Sequence, residues 1–154
     1  MLLTLTSTAF RHGETIPREH TCDGADRSPA FAGSGVPEGT RSLLLVCDDP
    51  DAPRGTFRHW AAYNIPPDWE GLAPGFGAGH PAQGFREAVN DFGKPGYGGP
   101  CPPSGDRPHR YRFCLSALKG RIEAEAGTTC AEIARLARPL ELAAAEFTGH
   151  YGRS

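Results

Sequence analysis

Two short stretches of the chain place ionisable side chains beside rigid, proline-rich turns. The first is Asp49–Pro53 (DPDAP), with His59 close behind it. The second is Gly98–Pro103 (GGPCPP), followed by His109 and Tyr111. Because proline fixes φ and removes an amide donor, such turns hold neighbouring side chains in defined positions. A carboxylate, two imidazoles and a phenol suit the binding of a small anionic ligand, and they are also able to transfer protons.

Each of these residues also has a simpler structural interpretation. Asp49 and Asp51 flank a proline, and aspartate favours turns because its side chain bonds to nearby backbone. One of the two is therefore expected to be structural while the other faces a pocket. A lone histidine such as His59 on an apolar strand face is usually a satisfied core residue. His109 is the stronger candidate, since it shares a strand face with Tyr111.

Other catalytic arrangements have weaker support. The chain has no G-x-S-x-G nucleophile elbow and no H-E-x-x-H zinc motif. Asp49, His59 and His109 could form a metal centre of two histidines and one carboxylate, although their spacing is not diagnostic. Cys101 could act as a thiolate nucleophile near His109, but its proline neighbours favour a rigid turn. We predict neither a metal nor a cofactor.

Apolar patterns predict the elements that position these residues. A continuous apolar run indicates a strand buried on both faces, alternating runs indicate half-buried strands, and a capping box starts a helix. The predicted elements are an edge strand over Leu2–Ser7, a buried strand over Ser42–Cys47, alternating strands over Phe57–Ile65 and Arg110–Leu118, and a short helix from Thr129 to Pro139. Leu140–Tyr151 fits either a strand or a second helix, and the stretch from Pro67 to Pro108 is expected to be mostly loop.

Alternation assigns side chains to faces of the sheet. In the first alternating strand, one face is expected to carry Phe57, His59, Ala61, Tyr63 and Ile65. Its other face would carry Arg58, Trp60, Ala62 and Asn64. In the second, Tyr111 points the same way as Phe113, and His109 joins that face if the strand begins one residue earlier.

Composition is typical of one β-rich domain covering residues 1–154. The 20 glycines and 15 prolines punctuate apolar runs and do not form a tail, which indicates many turns. With a net charge of −2 and only Lys94 and Lys119 as lysines, the chain is not expected to bind nucleic acid. It has no apolar run of about 20 residues and no basic start, so neither a membrane span nor a signal peptide is predicted.

The five cysteines favour a reducing compartment. They are an odd number, and no pair has the C-x-x-C spacing of a metal or redox site. We therefore expect reduced thiols in a cytoplasmic protein, with Cys47 and Cys114 as core residues of strands.

Taken together, the motifs resemble the phosphatidylethanolamine-binding protein family, and within it the bacterial branch of Raf kinase inhibitor-like proteins. The resemblance runs from about Phe10 to Tyr151. It is carried by Asp49–Pro53 (DPDAP), His59-Trp60, Asn64–Pro66 (NIP), Asn90–Gly93 (NDFG), Gly96–Pro103 (GYGGPCPP) and His109–Tyr111 (HRY).

The resemblance implies a β-sandwich-like fold with a large central antiparallel sheet, a smaller sheet and few short helices. It also implies an anion pocket at one end of the sheet, a frequent homodimer, and a structural role for Asp51. By motif, the pocket residues are Asp49, His59, Cys101, Pro102, Pro103, His109 and Tyr111. The chain departs from the family at Phe31–Gly33, where a tryptophan is usual, at Arg58 and at Ala61–Tyr63, and this leaves the ligand open.

Three functions follow as hypotheses. The first is a binding protein for a small anion of phosphate or carboxylate type, with regulation acting through a protein partner. The second is an enzyme in which Asp49, His59, His109 and Tyr111 perform acid–base chemistry on a metabolite, such as cyclisation, isomerisation or addition in a biosynthetic pathway. The third, which rests on family analogy alone, is a regulator of a kinase or protease.

Overall fold

The chain folds into two antiparallel sheets and one short helix over the residues that the computed structural model describes, which are 2–75 and 85–153. The small sheet pairs β1 (Thr4–Thr6) with β2 (Ala32–Ser34). The large sheet consists of β3 (Ser42–Asp49), β4 (Phe57–Ile65), β5 (Arg86–Glu87), β6 (His109–Leu118) and β7 (Glu141–Tyr151). Its strand order is β5-β4-β3-β6-β7. This architecture confirms the predicted mainly β, sandwich-like fold.

The central strand β3 is buried on both faces, as its continuous apolar run predicts. Leu43, Leu45 and Cys47 belong to the first core, which fills the space between the two sheets and includes Phe113 of β6. Leu44 belongs to the second core, which lies on the opposite face of the large sheet. Because β3 is central, both cores and both neighbouring strands depend on it.

Helix α1 (Cys130–Ala137) covers part of that second face. Thr129 caps it, because its hydroxyl oxygen accepts a hydrogen bond from the Glu132 N–H at 3.2 Å. The buried side chains of Ile133 and Ala137 pack into the second core. The predicted helix is thus confirmed, and a 3₁₀ turn at Arg138–Leu140 follows it around Pro139. No helix in the described part of the chain is long and apolar enough to cross a membrane.

The ambiguous C-terminal segment is a strand. β7 pairs with β6 along its whole length, from Leu118 opposite Glu141 to His109 opposite Tyr151. This ladder supplies backbone hydrogen bonds that outweigh the local helix preference of the alanine-rich sequence. The predicted long loop contains the two-residue edge strand β5, and its residues 76–84 lie outside the described part of the chain.

Two irregularities in β4 change the predicted division of its faces at both ends of the strand. Cys47 pairs with Trp60 but Asp48 pairs with Arg58, so His59 is an extra residue opposite β3. A second shift lies near Asn64, where φ is +59°. Trp60 and Ala62 face the first core and Ala61 and Tyr63 the second, as predicted, but Ile65 and Phe57 lie on the face of Trp60 and not on that of Tyr63. A β-bulge of this kind reverses the alternation, which a strict period of two does not anticipate.

A disulfide corrects the prediction of five reduced thiols. Cys22 is bonded to Cys101, 79 residues away in sequence, while Cys47, Cys114 and Cys130 are free. The Cys22 N–H also donates to the Pro100 carbonyl at 3.1 Å, so the two loops already lie side by side. Sequence spacing carries no information on this pairing because tertiary structure brings the loops together. Cys47 is a fully buried core residue, as predicted, and Cys114 is half-buried.

Replacing both bonded cysteines, as Cys22→Ser/Cys101→Ser, should lower the free energy of unfolding by about 2–4 kcal/mol, because the unfolded chain loses a long-range constraint. Urea unfolding of oxidised protein measures this effect. Reductant should destabilise the wild type similarly and leave the double variant unchanged. Cys114→Ser is the control for a loss of thiol alone, and a wild type indifferent to reductant would contradict the prediction.

Candidate functional site

A cavity of about 220 Å³ opens at the end of the large sheet where β3 stops and β4 and β6 start. We call it the sheet-end cavity. It brings together all seven residues that the motifs single out, and Ala52, Pro53, Phe57 and Phe92 complete its lining. The seven are Asp49, His59, Cys101, Pro102, Pro103, His109 and Tyr111.

Asp49 is the buried carboxylate of the cavity, and it has two partners. Its Oδ1 accepts the Asp51 N–H at 2.8 Å, which shapes the turn after β3. Its Oδ2 is 2.7 Å from His109 Nδ1 on β6. A carboxylate whose side chain is only 5% exposed needs such partners, because burying an unpaired charge is costly. Asp49 therefore ties two strands together at the cavity.

Asp51 points to Arg110 and fastens the turn to β6. Its Oδ2 accepts from the Arg110 backbone N–H at 2.9 Å and from Nε at 3.0 Å, while Oδ1 accepts from Nη2 at 2.9 Å. The hydrogen bonds from Arg110 lower the pKa of Asp51 from 3.8 to about 2. The two aspartates of the motif thus have different surroundings, as the intervening proline suggested.

His109 lies between two carboxylates. Its Nδ1 contacts Asp49, as described above. Its Nε2 is 2.8 Å from Oδ2 of Asp106, which lies three residues earlier in the chain. Burial opposes a charge on the ring, but the hydrogen bonds that the ring makes to Asp106 and Asp49 outweigh it and raise the pKa of His109. Sequence reasoning missed Asp106, although a carboxylate three residues before a strand-initial histidine was visible in the sequence.

His59 has the opposite environment. Its Nδ1 lies 2.6 Å from the Gly98 carbonyl, which can only accept, so Nδ1 carries the proton and a neutral ring leaves Nε2 as an acceptor. Burial lowers the pKa of His59, and the bond to Gly98 opposes this only in part. The rings of Phe57, Phe92 and Tyr111 lie 4.9, 5.4 and 5.4 Å from the imidazole. The bulge in β4 places His59 on this face beside Phe57.

Tyr111 is buried, and burial raises its pKa well above the usual value, so it stays a neutral phenol. Its ring stacks near His109, with centroids 6.4 Å apart. Phe92, from the NDFG motif, lines the cavity. Tyr97, from the GYGGPCPP motif, packs on Trp60 and donates its hydroxyl to the His20 carbonyl at 2.6 Å.

The wall formed by Cys101, Pro102 and Pro103 depends on close packing just before it. The Gly99 N–H donates to Asp26 Oδ1 at 2.8 Å. A Cβ at Gly99 would collide with the His20 carbonyl and with Asp26, and one at Gly98 would collide with the Phe92 ring. The glycine pair therefore allows the backbone to approach both neighbours, and the Cys22–Cys101 disulfide then fixes the wall.

Two catalytic alternatives lose their basis. Cys101 is not a thiolate nucleophile in this structure, because it is bonded to Cys22. Within residues 2–75 and 85–153, no group of three or more His, Cys, Asp or Glu side chains could hold a metal ion. Both nitrogens of His109 are already engaged with carboxylates. The Asp49, His59 and His109 side chains meet, but not as metal ligands.

Comparisons with known proteins identify the family. The family model described as phosphatidylethanolamine-binding protein matches residues 6–152. A UPF0098 protein of Aquifex aeolicus is 50% identical over 112 residues, which are 73% of this chain and 66% of that relative. A UPF0098 protein of Methanothermobacter thermautotrophicus is 41% identical over 98% of this chain and 99% of its own length. The chain belongs to the phosphatidylethanolamine-binding protein family.

A solved structure supports the same assignment. Escherichia coli YbcL, described as a new member of the mammalian PEBP family, superposes with a TM-score of 0.94 at 34% identity, and the match covers 100% of both chains. The family resemblance that the sequence motifs indicated is thereby confirmed, together with the fold it implied.

Asp51 should make stability depend on pH in the acid range. Its pKa in the folded protein is about 2 against an ordinary 3.8, so it stabilises above pH 3.8 and that contribution is lost as the pH falls towards about 2. In Asp51→Asn, urea unfolding at several pH values should show a shallower decline across this window. Asp68→Asn, at an exposed residue, is the control, and equal declines in wild type and Asp51→Asn would refute the assignment.

Proposed function

We propose that the protein binds a small anionic ligand of phosphate or carboxylate type in the sheet-end cavity. The observation that carries the proposal is the convergence of His59, His109 and Tyr111 on one cavity of about 220 Å³. This volume is below the roughly 300–1,000 Å³ usual for drug-sized ligands. A headgroup or a small metabolite fits that space.

The four polar groups of the cavity would contribute differently. Tyr111 supplies a neutral hydroxyl that can donate to an anionic oxygen. His109 supplies positive charge, although both of its nitrogens are engaged with carboxylates in the unliganded protein. His59 has an acceptor at Nε2, so it must take up a proton before it can donate to an anion. Asp49 would disfavour excess negative charge and could accept a hydrogen bond from a ligand amine.

The walls strengthen these interactions. Phe57, Phe92, Pro102 and Pro103 line the cavity and reduce the access of water to a bound anion. Charge-assisted hydrogen bonds are stronger in such surroundings than in bulk water. An anion held here would exchange its hydration shell for fixed donors.

An enzyme is the second candidate, and one observation favours it. The cavity contains two imidazoles whose pKa values are shifted in opposite directions, raised at His109 between its carboxylates and lowered by burial at His59 against a carbonyl. Two titratable groups whose environments separate their pKa values are a general acid and a general base in many active sites. Asp49 would then orient His109, and Tyr111 would hold the substrate.

The remaining family-based expectations stay predictions. A homodimer and regulation through a protein partner derive from the family alone. The cytoplasmic location rested on reduced thiols, and the Cys22–Cys101 disulfide removes that support. Cell fractionation and the mass of the protein in solution test these points directly.

Calorimetric titration with phosphate, phosphoethanolamine and acetate tests anion binding. Affinity should be higher at about pH 6 than at about pH 8, because binding raises the pKa of His59 and takes up a proton that is less available as the pH rises. His59→Ala should weaken binding about tenfold or more and remove most of the pH dependence. His12→Ala, at an exposed histidine, is the control. No binding by the wild type at millimolar ligand would refute the proposal.

Incubation with cell extract separates a binding protein from an enzyme. Wild type and an Asp49→Ala/His109→Ala variant are compared by mass spectrometry of bound and transformed metabolites. A metabolite that only the wild type retains unchanged supports binding. A metabolite that only the wild type depletes, with a new product, supports the enzyme and contradicts a purely binding role.

A further inference from the structure

We propose that Asp106 is a positioning residue for the sheet-end cavity. Asp106 holds His109 in its doubly protonated form and so extends anion binding to higher pH. The inference rests on the proposed function for its effect on ligand affinity. Its effect on His109 itself does not depend on any ligand.

The geometry requires two donors on the His109 ring. Nδ1 is 2.7 Å from Asp49 Oδ2, and Nε2 is 2.8 Å from Asp106 Oδ2. Ionised carboxylate oxygens accept hydrogen bonds and do not donate, so both ring nitrogens carry a proton only in the imidazolium. With Asp49 alone, a neutral ring protonated at Nδ1 would satisfy the geometry equally well. Asp106 is therefore the residue that demands the second proton.

Asp106 acts from outside the ligand cavity. Its side chain is 46% exposed, whereas that of Asp49 is 5% exposed. It lines a second cavity of about 570 Å³, together with His150, Tyr151 and Arg153. Asp106 lines this second cavity and not the sheet-end cavity, so it can stabilise the charge of His109 without occupying the space for a ligand.

The other groups near His109 do not replace this effect. Strand β3 and the turn after it contribute Asp49 and Asp51, and Asp51 is already hydrogen-bonded to Arg110. From β6 and β7 come Tyr111 and Tyr151, and Tyr151 donates its hydroxyl to Asp23. Beyond β7, Arg153 is paired with Asp23 at 3.1 Å. Asp106 is the carboxylate whose removal changes the charge at Nε2.

The loop that carries Asp106 is anchored by its own backbone. The Asp106 N–H donates to the Pro103 carbonyl at 3.2 Å, and the Gly105 N–H donates to the Arg153 carbonyl at 2.9 Å. Gly105 has φ of +82°, a conformation that glycine adopts without strain. An amide at position 106 can keep the contact with Nε2, so Asp106→Asn removes the charge and leaves the loop in place.

Nuclear magnetic resonance titration of the histidine ring nitrogens tests the proposal. In the wild type, both nitrogens of His109 should be protonated at neutral pH, and in Asp106→Asn the titration of His109 should move to lower pH. Asp68→Asn, which removes the same charge at a different exposed residue, should leave it unchanged. A neutral His109 in the wild type, or an unshifted titration in Asp106→Asn, would overturn the proposal.

Phosphate titration of the same proteins connects the charge to binding. Asp106→Asn should bind phosphate severalfold more weakly at about pH 8 and equally well at about pH 6. Equal weakening at both values would indicate a merely structural role and count against the proposal. If the wild type binds no phosphate, the proposed function fails, while the ring-nitrogen titration still decides the role of Asp106. If Asp106→Asn does not fold, the wild-type protonation state gives the answer.

Discussion

The hydrogen bond between Asp49 and His109 is the contact on which the rest of the site depends. It joins the end of β3 to the start of β6, and the second oxygen of Asp49 fixes the turn that leads towards β4. Asp51 then clamps the same turn to Arg110 on the outer side. A buried carboxylate without these partners would be costly, so the turn, the two strands and the charge on the ring stabilise one another.

From this contact follows the contrast between the two imidazoles. His109 has carboxylates on both nitrogens, whereas His59 faces a carbonyl and three aromatic rings. The same side chain therefore meets two opposite environments within one cavity, which raise the pKa of His109 and lower that of His59. Such a pair gives the cavity both a fixed cation and a base that responds to the ligand, which serves binding and acid–base chemistry equally.

The sequence was sufficient for most of the fold, because apolar runs report burial directly. The bounds of β4 and β6 and the capped start of α1 were predicted within a residue. The seven motif residues do meet at one cavity. The faces of the two ends of β4 were wrong because an extra residue at His59 and a second one near Asn64 each reverse the alternation. The Cys22–Cys101 disulfide was missed because the fold brings two separate loops together. The contact of Asp106 with His109 was missed because it depends on the shape of the turn before β6. The strands β2 and β5 are too short to produce a pattern.

The bulge in β4 makes the cavity sensitive to the number of residues as well as to their identity. Phe57 and Trp60 lie on one face although three positions separate them, and only the extra residue allows this. If the chain between them were shortened by one, the sheet could pair without interruption and the core residues after Trp60 would keep their places. Phe57 would stay opposite Asp49 on the face of Trp60, but the single residue left between them would point to the opposite face, so the cavity would lose the imidazole of His59. Among relatives of this protein, a single-residue gap between these two positions would therefore signal a cavity without this imidazole more reliably than many substitutions.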